Sequence, residues 1–485
     1  MHRFPLLLVL LLLAACSLRS PAQDRATNPG QPPAIAREFR GAWIATVDNI
    51  DFPSRPGLPA AAMRAELDAI VARAAELHLN ALVFQVRPAG DAFYQSSLEP
   101  WSEWLTGAQG KAPDGNFDPL AHLITQCHAR GIQLHAWFNP FRAWHPAGKS
   151  EPHPSHVTKK APHLVVEHNK FQWMDPSLPA AQKWSLATVQ DVLRKYDVDG
   201  VHIDDYFYPY PEGKQFADDA SYAKYTKGGG KLARTAWRRM HVDTYVQKLY
   251  ELVHSEKPWV QVGISPFGIS RPGVPKGTSA GVDQYEQLAA DVVTWMEKGW
   301  LDYLAPQLYW PIDRKAQSFP VLLDYWRSQN PKRRMIWPGL GTYRMAGKEK
   351  DYRPTEMRDV ITLCRTGDAQ PGHVHYSFKY LRNDTPNVAG ALRELYREPA
   401  LVPAMPWLGN KKPAAPTSKV EDGEGGKVVT WQAGEDAQFV VVQTFDGSNW
   451  RTWRIVEAKL GRCALPSGAT RAVVTAVGRT GQLSR

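Results

Sequence analysis

Residues 197–211 read DVDGVHIDDYFYPYP. A short apolar run, Val198 to Ile203, ends in two adjacent aspartates, Asp204 and Asp205, and aromatic and proline residues crowd the positions that follow. Two carboxylates at the end of a buried strand suit acid–base work, in which one group moves a proton while the other holds or orients charge. Side chains alternate along a strand, so His202 and Asp204 share one face and Ile203 and Asp205 the other. Ile203 suits the face that packs on helices. His202 and Asp204 are therefore expected to point inward, with Asp205 at the rim.

Such a pair needs a scaffold that brings several strand ends together, and the rest of the chain supplies the pattern for one. Strand-like runs occur at 39–47, 80–87, 132–139, 198–205, 260–267, 301–310, 334–343 and 373–380, all rich in β-branched and aromatic residues. Helical periodicity fills the gaps at 59–79, 118–131, 179–197, 235–256, 282–299, 319–329, 355–367 and 388–396. Strict alternation demands a parallel sheet, and eight units predict a closed (β/α)8 TIM-type barrel, an α/β fold over residues 37–400. A doubly wound open sheet fits less well, because no glycine-rich first turn is present. Residues 401–427 are dense in Pro, Gly and charge and read as a linker. Alternating strands across 428–485 read as a small all-β sandwich of the fibronectin type III kind.

In a βα barrel the working end is the C-terminal rim of the strands. The same alternation places a ring of polar residues there. Strand 2 offers Gln85 and Arg87, strand 3 His135, Trp137 and Asn139, and strand 6 Gln307 and Tyr309. Strand 8 offers His375, Ser377 and Lys379, and strand 1 ends near Asp48. Burying so many polar groups without partners or a ligand would be costly. Around the same mouth lie Phe93, Tyr94, Trp101, Trp104, Trp137, Trp144, Tyr206, Tyr208, Tyr210 and Trp310. Sugar rings pack their C–H faces on aromatic rings, so these read as subsites.

Glycosidic cleavage needs a carboxylic acid to protonate the leaving oxygen and a second group to stabilise or attack the anomeric carbon. Asp204 is the expected principal catalytic carboxylate and Asp205 the second. Asp48, Gln85, Arg87, Trp137, Asn139, His202, Tyr206, Gln307, Tyr309 and Lys379 are the expected substrate-binding residues. Adjacent side chains on a strand diverge, so a facing carboxylate is sought in Asp48, Asp91, Glu99 or Glu103, or an acetamido group of the substrate takes that part. Arg87 and Arg142 are candidates to pair a substrate carboxylate. The histidines His145, His153, His156, His163 and His168 crowd one loop without fixed ligand spacing, so no metal and no other cofactor is expected.

Six segments, FRGAWIATVDNIDFPS, FQVRPAGDAFYQSSLEPWSEWLTG, HAWFNPFRA, DVDGVHIDDYFYPYP, GISPFGISR and LAPQLYW, resemble the bacterial glycosyl hydrolase-like family 10. The likeness runs over about residues 36–400 and implies a secreted or lipid-anchored glycoside hydrolase with a barrel and a fibronectin-like module. It implies as substrate the glycan strands of peptidoglycan lacking stem peptides, or a related amino-sugar polymer, and a possible divisome partner. A weaker likeness is to chitinase-type barrels, which carry D-G-x-D-x-D-x-E on strand 4. Here His202 and Tyr206 stand at two of the acidic positions, so the usual acid is missing. A glycan-binding protein with a degenerate barrel is the alternative that this departure raises.

The bulk properties narrow the partners. The net charge of +10 arises from 58 Lys and Arg against 48 Asp and Glu scattered along the chain. No basic stripe or motif speaks for nucleic acid. The first residues, MHRFPLLLVLLLLAACSLRS, read as a secretion signal over 1–16 whose Leu13-Ala14-Ala15-Cys16 resembles a lipobox, with Cys16 as the lipidated residue. Ser17 after it favours the outer membrane, facing the periplasm of the cell envelope. Residues 17–36 read as a flexible tether. Cys127, Cys364 and Cys463 give no disulfide framework.

Overall fold

The computed structural model describes residues 30–346, 351–383 and 386–484, so the signal and Cys16 lie outside the described residues. The chain forms a closed parallel barrel followed by a small antiparallel sandwich. Barrel strands β1 to β5 are Phe39–Ile44, Ala81–Arg87, Gln133–Phe138, Gly200–Ile203 and Gln261–Ile264. Strand β6 is split into Tyr303–Leu304 and Gln307–Leu308, β7 into Met335–Ile336 and Gly339–Leu340, and β8 is Gly372–His375.

Prolines cause the two interruptions, because Pro306 and Pro338 have no N–H to give the ladder. Their carbonyls still accept, from Gly339 N at 2.9 Å and Val374 N at 3.0 Å. The ring therefore closes: β5 pairs β6 at Gly263 and Tyr303, β6 pairs β7, β7 pairs β8 at Gly339 and Val374, and β8 pairs β1 at Phe39 and Gly372.

The principal helices follow the strands: α1 Ala60–Glu76, α2 Pro119–His128, α3 Pro179–Lys195, α4 Arg234–Glu256, α5 Val292–Lys298, α6 Phe319–Ser328, α7 Glu356–Arg365 and α8 Ala391–Leu395. Asp118 caps α2 by accepting from Ala121 N, with Pro119 at the first helical position. The helix expected over 282–299 forms only from Val292, where Asp291 caps it. Upstream, the buried Gln284 amide donates to the carbonyls of Phe267 and Ile269, so this segment braces the loop after β5 instead of coiling.

Inside the barrel, Phe39 and Trp337 stack at 4.0 Å. Beside them runs a column of polar groups whose protons can be assigned from one fixed donor. Trp43 Nε1 only donates, so His202 Nε2, 3.2 Å away, must accept. His202 Nδ1 then carries its proton toward the Tyr303 hydroxyl at 2.9 Å. That hydroxyl donates to His135 Nδ1 at 2.9 Å, and His135 Nε2 donates to Gln133 Oε1. Burial lowers the pKa of both histidines, which agrees with neutral rings. The column is satisfied end to end without a charge.

One expectation on parity fails. In β8 the inward residues are Gly372, where a Cβ would collide with Trp337 and Phe39, and Val374. His375 therefore faces outward to Thr342, Ser377 donates to Asp51, and Lys379 is exposed on a short helix.

The C-terminal module has two three-stranded sheets among the described residues. One is β9 Thr417–Gly423, β10 Gly426–Gln432 and β13 Arg462–Ala464; the other is β11 Ala437–Phe445, β12 Trp450–Glu457 and β14 Arg471–Gly478. Val429, Trp431, Val440, Val442 and Val474 fill the space between them. The first strand begins inside the segment read as linker.

The rest of that segment is not loose, since Val402, Met405 and Trp407 plug the barrel floor and Trp407 Nε1 donates to Asp302. The tether reading also fails where it is described: Ile35 packs with Phe439 and Val441, and Gln443 donates to Pro33 O. The module docks on the floor through Gln438 to Asp199 and a two-point pair of Arg479 with Asp197. Among the described residues no helix is long and apolar enough to cross a membrane.

Gly263 lies against Tyr303, the hinge of the polar column; a Cβ there would sit 1.9 Å from the ring. Gly263→Ala is expected to cost about 1–3 kcal/mol in chemical denaturation through forced displacement of Tyr303. Gly281→Ala, whose Cβ would meet nothing within 4 Å, serves as the control. Equal unfolding midpoints for the two variants would contradict the role given to this contact.

Candidate active site

Asp204 follows directly on β4 and points into the barrel mouth. Its Oδ2 accepts from Trp137 Nε1 at 3.0 Å and Asn139 Nδ2 at 3.1 Å, both from the end of β3. Asn139 cannot flip, because its Oδ1 accepts from the backbone N–H of Arg142 at 2.8 Å. Oδ1 of Asp204 has only longer contacts, 3.3 Å each from Tyr206 N and Asn139 Nδ2. Two donors saturate Oδ2, so a proton on this carboxyl sits on Oδ1.

Asp204 is 3 % exposed and, among the described residues, forms no ion pair. Burial raises its pKa to about 7, against the opposing pull of Arg142 and with added repulsion from Asp205. Asp205 is also buried, and burial raises its pKa as well; the Tyr210 hydroxyl donates to its Oδ2 and offsets part of the rise. Both carboxyls thus keep protons to higher pH than free aspartate, an environment suited to acid catalysis near neutrality.

The walls are aromatic. Trp43 meets His202 and Tyr376 edge-on, Tyr309 stacks with Tyr376 at 5.7 Å, and Tyr343 meets both edge-on. Tyr206, Tyr309, Tyr376 and Gln307 are half-buried and form the open edge. Gln307 Nε2 donates to Ser265 O at 3.0 Å.

The structure brings together Trp137, Asn139, Asp204, Asp205, Tyr206, Gln307 and Tyr309 from the expected set. It separates the others. His202 lies one layer below Asp204, with both ring nitrogens engaged by Trp43, Ser265 and Tyr303, leaving none for a sugar. Gln85 Oε1 accepts from Thr46 N and Val47 N and pins the end of β1.

Arg87 is fully buried beyond a register shift in β2. It grips Glu99 at 2.8 and 2.6 Å and the Asn139 carbonyl at 2.6 Å, so it has no fork to offer a substrate. Asp48 is exposed; the buried carboxylate of that loop is Asp51, which accepts from Ala45 N, Ser377 Oγ and Lys379 N and ties β1 to β8. Phe93, Tyr94 and Tyr208 are buried in packing.

Of the carboxylates considered as partners from elsewhere, Asp48 is exposed and the other three are held in local networks. Glu99 belongs to Arg87, Glu103 accepts from Lys149 N and Ser150 N, and Asp91 accepts from Ala89 N. The group beside Asp204 is Asp205 itself. Among the described residues no three His, Cys, Asp or Glu converge on a point. Sequence reasoning missed Tyr376 and Tyr343. The first was hidden by the shifted parity of β8, and the second by lying past the end of β7.

A closed parallel barrel with buried carboxyls at its C-terminal rim, ringed by aromatic side chains, is the arrangement of a barrel-type glycoside hydrolase. Residues 38–354 match the Glycosyl hydrolase-like 10 family, and the chain belongs to it. It is 35 % identical over 440 residues to the glycosyl hydrolase YngK of Bacillus subtilis, covering 87 % of this chain and 86 % of that one. It is 33 % identical over 377 residues to the glycosyl hydrolase DigH of Escherichia coli, covering 72 % and 84 %. The glycoside hydrolase domain of PgaB (BpsB) from Bordetella bronchiseptica shares the fold at a TM-score of 0.50, with 13 % identity over 75 % of this chain and 99 % of that one. The chain is a glycoside hydrolase.

Replacing Arg87 by Met would leave Glu99 buried and uncompensated. The variant is expected to lose about 3–5 kcal/mol of stability by denaturant titration. A stable variant with weakened glycan affinity would instead restore Arg87 as a substrate ligand.

Proposed function

We propose that this hydrolase cuts peptidoglycan glycan strands lacking stem peptides, or a closely related amino-sugar polymer, with Asp204 as the general acid. The observation that carries the reading is the state of Asp204: out of water, bound by two neutral donors on Oδ2, and able to carry its proton on Oδ1. That proton goes to the glycosidic oxygen as the bond to the anomeric carbon breaks. Asp205, with Tyr210, orients the reacting sugar.

Among the described residues no carboxylate from another strand faces Asp204. The acetamido oxygen of the substrate is therefore the group assigned to attack the anomeric carbon, in the substrate-assisted manner. Tyr206, Tyr309 and Tyr376 supply faces for the sugar rings. The substrate class is supported by the family likeness and by the aromatic mouth. The lipobox-like Leu13-Ala14-Ala15-Cys16 supports a lipid anchor that would hold the enzyme at the envelope, on the periplasmic side of the outer membrane. A divisome protein is the proposed partner of the C-terminal module.

Purified protein incubated with denuded glycan strands should release shorter oligosaccharides, resolved by chromatography. Asp204→Asn should lower kcat by about 100-fold or more. The acid must be protonated to act, so kcat/KM should hold below pH 7 and fall as Asp204 ionises near its raised pKa of about 7. An Asp204→Asn variant as active as the parent would remove Asp204 from this role, and intact strands after incubation would remove the substrate.

A further inference from the structure

Buried arginines elsewhere in this protein have carboxylate partners. Arg87 holds Glu99, Arg238 holds Asp218 at 2.7 Å through two nitrogens, and Arg40 shares Glu38 with the half-buried Arg365. Arg142 differs. It is 5 % exposed, yet its Nε is buried without a hydrogen-bond partner. Among the described residues its guanidinium makes no hydrogen bond and no ion pair. Its place is nevertheless fixed: the backbone N–H is held by Asn139, the residue that grips Asp204. The guanidinium lies 4.6 Å from the ring centre of Tyr206 and 5.9 Å from that of Trp173. Stacking on rings orients the plane and leaves its edge of N–H donors unused.

A buried, oriented and unpaired cation is costly to keep without an anion to meet. Asp204 and Asp205 stand near enough to feel its charge, but neither is in ion-pair contact with it. The planar fork of a guanidinium matches the two oxygens of a carboxylate. We propose that Arg142 is the docking point for a carboxylate carried by a sugar in the active site, which makes the enzyme selective for acidic over neutral amino sugars. The inference rests on the reading of this site as one for amino-sugar glycans. It assigns to Arg142 a specificity that the sequence left open between Arg87 and Arg142.

The test uses an N-acetylglucosaminyl–N-acetylmuramyl tetrasaccharide and the same sugar with its carboxyl groups reduced to alcohols. Affinities are measured by calorimetry on the full chain carrying Asp204→Asn, which prevents turnover. The acidic sugar should bind about tenfold tighter or better than the reduced one. Arg142→Gln should collapse that ratio toward one, and Arg142→Lys should recover part of it. Equal affinity for the two sugars, or a ratio unchanged by Arg142→Gln, overturns the proposal. A merely structural or electrostatic role for Arg142 would weaken both sugars alike and leave the ratio standing. Cleavage assays with the unaltered enzyme separate the two readings: a ratio that depends on Arg142 without any turnover supports the docking point and counts against hydrolysis of this substrate.

Discussion

The site depends on holding one carboxyl out of water without pairing it directly with a cation. A buried aspartate paired with arginine would be held as an anion; in this protein Arg87 grips the buried Glu99 in such a pair. Asp204 is instead bound by an indole and an amide, which stabilise charge only partly, so burial dominates and its proton is retained to about pH 7. Everything beneath it keeps this arrangement in register. The closed ladder fixes the distance between β3 and β4, and hence the reach of Trp137 and Asn139 to Asp204. The neutral column through His202, Tyr303 and His135 fills the lumen below with polar groups that ask for no counter-charge. A charged histidine at 202 would pull on Asp204; burial and the Trp43 donor keep it neutral.

Much of this was legible in the chain itself. The alternation of strands and helices dictates a parallel barrel, and a parallel barrel dictates which end does chemistry. Parity along strands 3, 4 and 6 placed Trp137, Asn139, Asp204, Gln307 and Tyr309 correctly because one face of each run is plainly apolar. Strand 8 defeated the same rule. In GHVHYSFKY both faces carry polar and aromatic residues, and the inward face is set by the steric demand for glycine at 372 beneath Trp337. Arg87 was misplaced because a register shift in β2 turns it from the lumen toward Glu99, and a shift of one residue leaves no mark in composition. Asp48 and Asp51 are equally acidic in sequence; only the loop geometry buries one and exposes the other. Over the described part of the expected tether, the reading fails on Ile35, which sits among prolines and alanines yet packs on the C-terminal module.

The departure from the acidic strand-4 pattern of chitinase-type barrels has a structural counterpart. Asp199 keeps its place, but at the barrel floor, where it accepts from Leu134 N and pairs with His128. His202 has become part of the lumen's hydrogen-bonded column. The acid function is left to the next inward position, Asp204, and the remaining carboxyl to its neighbour at the rim. The C-terminal module packs on the floor, at the opposite end from the chemistry, and shares with Asp199 the task of closing the barrel from below.

The proposed chemistry turns on the protonation of a single carboxyl, which can be observed directly. Aspartate carboxyl carbons labelled with carbon-13 can be titrated by NMR in the parent enzyme and in Asp204→Asn. An aspartate resonance that titrates near pH 7 in the parent and is missing from the variant is the expected result. If every resonance lost in the variant titrates in the ordinary aspartate range, near pH 4, Asp204 is an anion at neutral pH and cannot be the acid.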